Sequence, residues 1–212
     1  SKTKIVWGAS AGIAALVSAM LAGVYQREGG YVNNPNDRGG ATNMGVTQQV
    51  AKEAGYKGDM RTFPKQCDSE KDVYADKIYY QTYIEKPGFV PFIKLSPAIG
   101  DELFDTGVNM GTVWPSKWLQ ASLNDSCGTL PGKAKLVVDG KLGPKSVDYF
   151  SACQVKLTKV TFCTTILTKL DAKQKARYEA IVKANPSQKV FLKGWINHRI
   201  GNVDKKRCSV TG

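Results

Sequence analysis

Two carboxylates and a hydroxyl lie close together in a stretch that is rich in glycine and asparagine. They are Glu28, Asp37 and Thr42. Glycoside hydrolysis needs a protonated acid to help the leaving oxygen depart, and an ionised carboxylate to orient water or to act as nucleophile. Glu28 fits the acid, Asp37 fits the base, and the hydroxyl of Thr42 fits a group that holds the attacking water. The residue types and their order therefore predict a glycosidase site with these three catalytic residues.

The same three residues also have an ordinary structural interpretation. Glu28 then ends a helix, Asp37 forms an Asx-turn, and Thr42 is a strand residue without chemistry. The pattern alone favours neither interpretation over the other.

A helix and a small hairpin must position these residues. The chain before Glu28 is a long apolar run, which predicts a helix that ends near it. Tyr31 and Val32 lie before a glycine-rich turn and residues 41–46 lie after it, so we expect a glycine-rich β-hairpin. A helix followed by a folded-back hairpin would bring the catalytic residues into one cleft.

The surroundings of the two carboxylates predict different charges. An apolar helix beside Glu28 would favour the protonated acid, because burial disfavours charge. Asp37 lies in a polar turn beside Arg38, which would keep the aspartate ionised.

Residues 28–47 resemble the signature of the N-acetylmuramidases of glycoside hydrolase family 108, found in phage endolysins. They read Glu28-Gly-Gly-Tyr31 and then Asp37-x-Gly39-Gly40-x-Thr42-x-x-Gly45-Val46-Thr47. The run is also similar to the Glu, Asp, Thr arrangement of phage-type lysozymes, with one residue fewer between Asp and Thr. The family resemblance implies that Glu28 is the acid, and the lysozyme similarity contributes the roles of Asp37 and Thr42.

Later motifs belong to the same resemblance, which covers about residues 25 to 200. They are Asp105-Thr-Gly-Val-Asn-Met-Gly111, Trp118-Leu-Gln-x-x-Leu123-Asn124, Val138-Asp-Gly-Lys-Leu-Gly-Pro144, Asn185-Pro186-Ser187-Gln188 and Phe191-Leu192-x-Gly194-Trp195. They are similar to the peptidoglycan-binding region that follows the catalytic part in this family. The implied fold is α+β but mainly α and lysozyme-like, with a catalytic region at 26–106 and a helical peptidoglycan-binding region at 107–212.

Five residues are expected to bind the substrate. Two of them belong to an aromatic cluster whose flat rings can stack on sugars, although a core stripe is favoured over a sugar cleft by about two to one. The five are Tyr31, Arg38, Asn43, Tyr79 and Tyr80.

Capping and periodicity predict the remaining helices. Thr47 caps a helix that stops at Gly55, Ser69-x-x-Asp72 opens another, and Ser96 or Pro97 starts the main core helix. Prolines between residues 87 and 97 indicate a connecting segment without a helix. Farther on, helical patterns occupy about residues 145–170, 171–184 and 187–200.

Residues 5–25 contain no charge and would span a bilayer as a helix, although many of them are small. Lys2 and Lys4 would keep the preceding end cytoplasmic. A cleavable signal peptide is the main alternative, but cleavage would leave Glu28 without a helix to position it. We therefore expect a signal-anchor-release segment at 1–25, inserted in the host inner membrane with the catalytic part in the periplasm, and later released there.

The net charge of +12 predicts an anionic partner. The basic residues are spread along the chain without a nucleic-acid-binding signature, so murein or the anionic outer-membrane surface is preferred over nucleic acid. Five cysteines and His198 show no metal-ligand spacing, and we expect no metal and no cofactor. Export would permit disulfides, but their pairing is open. A monomer is expected.

The combined prediction is an endolysin that hydrolyses the β-1,4 bond between N-acetylmuramic acid and N-acetylglucosamine. Two other functions stay open. A lytic transglycosylase needs one glutamate and yields anhydro sugars, whereas a non-enzymatic, membrane-anchored wall-binding protein would not need Glu28.

Overall fold

A computed structural model describes residues 11–33, 39–66 and 73–209. These residues are mainly helical with one small antiparallel hairpin, which confirms the predicted α+β, mainly α fold. Asp37, Arg38, Cys67 and the proposed helix opening at 69–72 lie outside the described residues, as does the start of the apolar run at 5–10. The chain divides into two compact units, Ser1–Lys86 and Pro87–Gly212.

The first unit begins with a helix whose buried side chains form one stripe. This stripe follows the 3.6-residue period, so the small residues of the run lie mostly on the other faces. The helix packs against α3. In order, the elements are α1 (Ala11–Glu28), β1 (Thr42–Asn43), β2 (Val46–Thr47), α2 (Gln48–Glu53), a 3-10 turn (Met60–Thr62), α3 (Ala75–Tyr80) and a π-helical turn (Gln81–Glu85).

No helix within residues 11–33, 39–66 and 73–209 combines the length and the apolar character that crossing a membrane requires.

The hairpin differs from the predicted one in its pairing. Val32 forms only an isolated bridge with Thr42, and the ladder joins β1 to β2. Met44 and Gly45 connect these strands, and both have positive φ, as the two central residues of a type I′ turn do. The tight turn therefore lies several residues later than the glycine pattern predicted.

One helix start tests the capping predictions in this unit. The Oγ1 atom of Thr47 accepts a hydrogen bond from Val50 N at 3.3 Å, which confirms the cap of α2. Tyr74 has extended backbone angles and α3 begins at Ala75, whereas the predicted opening at 69–72 lies outside the described residues.

The second unit contains six helices among its described residues. The predicted core helix that starts at Pro97 is confirmed, while the predicted connection before it contains a short helix. The elements are α4 (Val90–Leu95), α5 (Pro97–Met110), α6 (Val113–Cys127), α7 (Pro144–Leu157), α8 (Lys159–Ala184), a 3-10 turn (Pro186–Gln188), α9 (Lys189–Arg199) and a final 3-10 turn (Lys205–Ser209).

The long helical pattern predicted for residues 145–170 is interrupted at Thr158. This residue has a φ of 64°, which a β-branched residue rarely adopts. Across the break, the rings of Phe150 on α7 and Phe162 on α8 pack edge to face with centroids 4.6 Å apart. Folding α8 back onto α7 buries both rings, and this burial offsets the cost of the strained turn.

Two disulfides join the helices of this unit. Cys127–Cys153 links α6 to α7, and Cys163–Cys208 links α8 to the last 3-10 turn. They close segments with sequence separations of 26 and 45 residues. In the chain-entropy description each such closure stabilises the fold by about 3–4 kcal/mol.

Gln120 and Asn124 lie on α6 and hold the long connection between α6 and α7 in place. Gln120 accepts a bond from Gly140 N at 2.8 Å and donates to Asp139 Oδ1 at 3.0 Å. Asn124 exchanges two bonds of 2.8 Å with the backbone of Leu136. These contacts therefore join the motif that contains Gln120 and Asn124 to the motif that contains the Asp139-Gly140 turn.

Candidate active site

Glu28 is the last residue of α1, and its side chain is exposed to solvent. The apolar setting expected for it is therefore wrong. The buried stripe of α1 ends at Val24, Tyr25 is half-buried, and the last turn of the helix points to water. Solvent exposure leaves the Glu28 carboxyl accessible to a large substrate.

The turn of the hairpin packs directly on Glu28. A Cβ atom added to Gly45 would lie 3.1 Å from both Cβ and Cγ of Glu28, and it would collide with the hydroxyl of Tyr79. The φ of Gly45 is +75°, a value that also disfavours any side chain. Glycine at this position therefore lets the hairpin approach the proposed acid.

Tyr79 also contacts this turn. Its hydroxyl donates a hydrogen bond to the carbonyl of Met44 at 3.0 Å. Burial, and then the nearby charge of Glu28, raises the pKa of both Tyr79 and Tyr83. The ring centroids of these tyrosines are 5.7 Å apart. Glu28 thus lies beside two neutral phenols and the backbone of the hairpin.

Asp76 supports this arrangement and was not predicted as part of the site. Its Oδ1 atom accepts a 2.5 Å hydrogen bond from Tyr25, whose ring packs edge to face on Tyr79. Burial raises the pKa of Asp76, while the bond from Tyr25 and the charge of Lys65 oppose that rise. The sequence contains one indication of this role, because Asp76 precedes Tyr79 by about one helical turn and so lies on the same face of the helix. Asp76 therefore positions Tyr25, three residues before Glu28.

The predicted catalytic hydroxyl belongs to the strand that leads into this turn. Thr42 is half-buried and exchanges backbone hydrogen bonds of 2.7 and 2.8 Å with Val32. Its place on β1 brings it into the same hairpin as Gly45. The predicted base, Asp37, and its neighbour Arg38 lie outside the described residues, so their roles stay predictions.

The other predicted substrate-binding residues have different surroundings. Tyr31 is exposed, whereas Tyr79 and Tyr80 are buried as the core stripe that the sequence favoured. Asn43 is also buried, and its Nδ2 atom donates to the carbonyl of Met60 at 2.7 Å. Its amide donor therefore holds the hairpin on the 3-10 turn, which is a structural role and not a substrate contact.

No group of three or more histidine, cysteine, aspartate or glutamate side chains is placed to hold a metal ion in the part of the chain described here.

A mainly helical fold that presents an exposed glutamate beneath the turn of a small hairpin is the arrangement of a lysozyme-like glycoside hydrolase. Comparisons with known proteins agree. The family model described as glycosyl hydrolase 108 matches residues 21–111, and the model described as a predicted peptidoglycan domain matches residues 114–200. Residues 21–111 thus belong to the glycosyl hydrolase 108 family, and the chain is a glycoside hydrolase with a peptidoglycan domain.

A solved structure shares the fold. The chain is similar to SagA of Brucella abortus, with 22% sequence identity and a TM-score of 0.56. The alignment covers 92% of this chain and 95% of that chain. No curated protein matches the sequence.

Proposed function

We propose that the protein is a muramidase, which hydrolyses the β-1,4 bond between N-acetylmuramic acid and N-acetylglucosamine in bacterial peptidoglycan. The observation that carries the proposal is the position of Glu28, which is exposed at the end of α1 and packed under Gly45 in a glycosyl hydrolase 108 region. The adjoining peptidoglycan domain supports the choice of substrate.

In the proposed reaction, Glu28 donates its proton to the glycosidic oxygen as the bond to the anomeric carbon breaks. Asp37 accepts a proton from water, which Thr42 orients, and the oxygen of that water bonds to the anomeric carbon. The atoms of one water molecule are divided between the products, so the new chain end is a reducing sugar. Tyr31 and Arg38 are proposed to contact the glycan.

Product analysis tests this reaction. We expect purified murein treated with the protein to release muropeptides with reducing N-acetylmuramic acid ends, identified by mass spectrometry after borohydride reduction. Anhydro ends would instead establish a lytic transglycosylase. Murein that binds the protein but stays uncut would favour the non-enzymatic wall-binding function.

We further propose that the protein is an endolysin that reaches its substrate by release from the host inner membrane. The uncharged run of residues 5–25 supports membrane insertion, and its many small residues make the insertion weak. Two disulfides in the second unit fit an oxidising compartment such as the periplasm. After release, the apolar stripe of α1 would pack in the first unit and position Glu28.

The release proposal predicts a change of compartment. When cells that express the protein are depolarised, we expect it to move from the membrane fraction to the periplasmic fraction, and lysis to follow. A variant with Gly12 and Gly23 replaced by leucine has a more apolar run, so it should stay in the membrane after depolarisation. Equal partitioning before and after depolarisation of the parent protein would contradict release.

A further inference from the structure

Three aromatic rings of the second unit form a continuous stack that runs from the interior to the surface. Tyr178 on α8 stacks on Trp195 of α9, with centroids 5.1 Å apart and planes 22° apart. Trp195 in turn stacks on Phe191, with centroids 5.9 Å apart and planes 27° apart. Tyr178 is 3% exposed, whereas Phe191 is 53% exposed. The outermost ring therefore presents a large apolar surface to solvent.

The inner end of the stack is fixed. The hydroxyl of Tyr178 is hydrogen-bonded to the side chain of Asn109 on α5. Trp195 packs between Tyr178 and Phe191, and its indole is half-buried. An exposed ring that is held in this way loses little conformational freedom when a ligand binds to it.

A glycine in the middle of α9 leaves space beside the exposed ring. Gly194 is exposed, and a Cβ atom at this position would meet no atom within 4 Å. Glycine inside a helix costs about 1 kcal/mol relative to alanine. Since no neighbouring side chain needs this space, protein packing does not explain the glycine. Phe191, Gly194 and His198 follow the i, i+3, i+7 spacing of one helix face, and all three are exposed.

The segment of sequence that carries this face is basic, although its Arg199 pairs with Asp105 at 3.7 Å. Residues 180–203 contain no acidic side chain and carry four basic ones, Lys183, Lys189, Lys193 and Arg199. Murein carries free carboxylates on its stem peptides. A positive segment attracts such a polymer at long range.

We propose that the α9 face, defined as Phe191, Gly194 and His198, is a sugar-binding subsite for the glycan strand of peptidoglycan. This inference rests on the proposed function and places glycan contacts within the peptidoglycan domain. The apolar C–H face of one pyranose ring stacks on Phe191, and the missing side chain of Gly194 makes room for the sugar substituents. Val190 and Phe191 are the large exposed hydrophobic residues of α9. This area suits a single sugar ring better than a protein partner, which buries about 800 Å² on each side.

Co-sedimentation with insoluble purified murein tests the subsite. The parent is the full chain with Glu28→Gln, so that the ligand is not digested during the measurement. Phe191→Ser removes the stacking ring, and Gly194→Leu fills the space while favouring the helix. We expect each change to raise the apparent Kd about fivefold to tenfold, the size of effect expected for an aromatic anchor.

Two matched variants control for other effects. Phe191→Trp keeps a flat ring, and Val155→Ser removes an apolar side chain that is 84% exposed on α7. Both should bind murein as the parent does, and circular dichroism melts should show that all variants are folded. Unchanged binding by both Phe191→Ser and Gly194→Leu would overturn the subsite and leave the peptidoglycan function standing. A parent that does not sediment with murein would overturn both.

Discussion

Glu28→Gln is expected to lower the rate of murein hydrolysis about a thousandfold, within the range that a positioned general acid contributes. Glutamine keeps the shape of the side chain, and therefore its contact with Gly45, but it has no acidic proton to give to the leaving oxygen. The measurement is the release of reducing ends from purified murein at saturating substrate.

The matched control for this substitution is Glu53→Gln. Glu53 is an exposed glutamate at the end of α2 in the same unit, where it accepts a hydrogen bond from Gln49 Nε2 at 3.0 Å. This variant should keep the full rate, and both proteins should melt at the temperature of the wild type. A fully active Glu28→Gln protein would show that the acid lies elsewhere.

Asp37→Asn extends the same experiment to the proposed base. A loss of similar size would support hydrolysis by a pair of carboxylates, because an amide cannot take the proton from water. Normal activity with anhydro products would instead indicate a lytic transglycosylase.

The second large effect concerns stability and comes from Glu102, which is buried on α5 in the second unit. Burial, followed by the charges of Asp171 and Asp105, raises the pKa of Glu102 to about 8. The hydroxyl of Thr106 donates to its Oε1 atom at 3.0 Å, but within the described residues its Oε2 atom has no hydrogen-bond partner. The neutral acid is therefore the form that the fold favours.

The sign of the pH dependence follows from this shift. An unfolded chain loses the Glu102 proton near pH 4.5, whereas the folded protein keeps it to about pH 8. Between these values the folded state binds more protons than the unfolded state, so the contribution to stability is complete below pH 4.5 and is lost as the pH rises toward 8. The unfolding free energy should fall across this window by about 5 kcal/mol from this group, because each pH unit within it costs about 1.4 kcal/mol.

Glu102→Gln is expected to remove most of that decrease, because the amide is neutral at every pH. Urea unfolding at pH 5, 6.5 and 8 measures the effect, and the variant should gain stability relative to the wild type as the pH rises. Glu179→Gln, at an exposed glutamate on α8, should leave the pH dependence unchanged. Parallel stability curves for Glu102→Gln and the wild type would show that Glu102 does not titrate in this window.

Local sequence signals predicted the parts of the protein that depend on neighbouring residues. The motif that starts at Glu28 identified the glycosidase class, Thr47 predicted the cap of α2, and Pro97 predicted the start of the core helix. Each signal depends on interactions over a few residues, such as a cap, a turn or a fixed φ.

Contacts between distant residues decided the rest. The exposure of Glu28, the approach of Gly45 to it and the support from Asp76 all depend on how α1, α3 and the hairpin pack. The disulfide partners and the break at Thr158 depend on how α6, α7 and α8 pack. Sequence alone determined the class of enzyme and most of its helices, because those follow from short-range chemistry. Tertiary structure decided which side chains are buried, paired or open to a ligand, because these properties arise from packing between segments far apart in the chain.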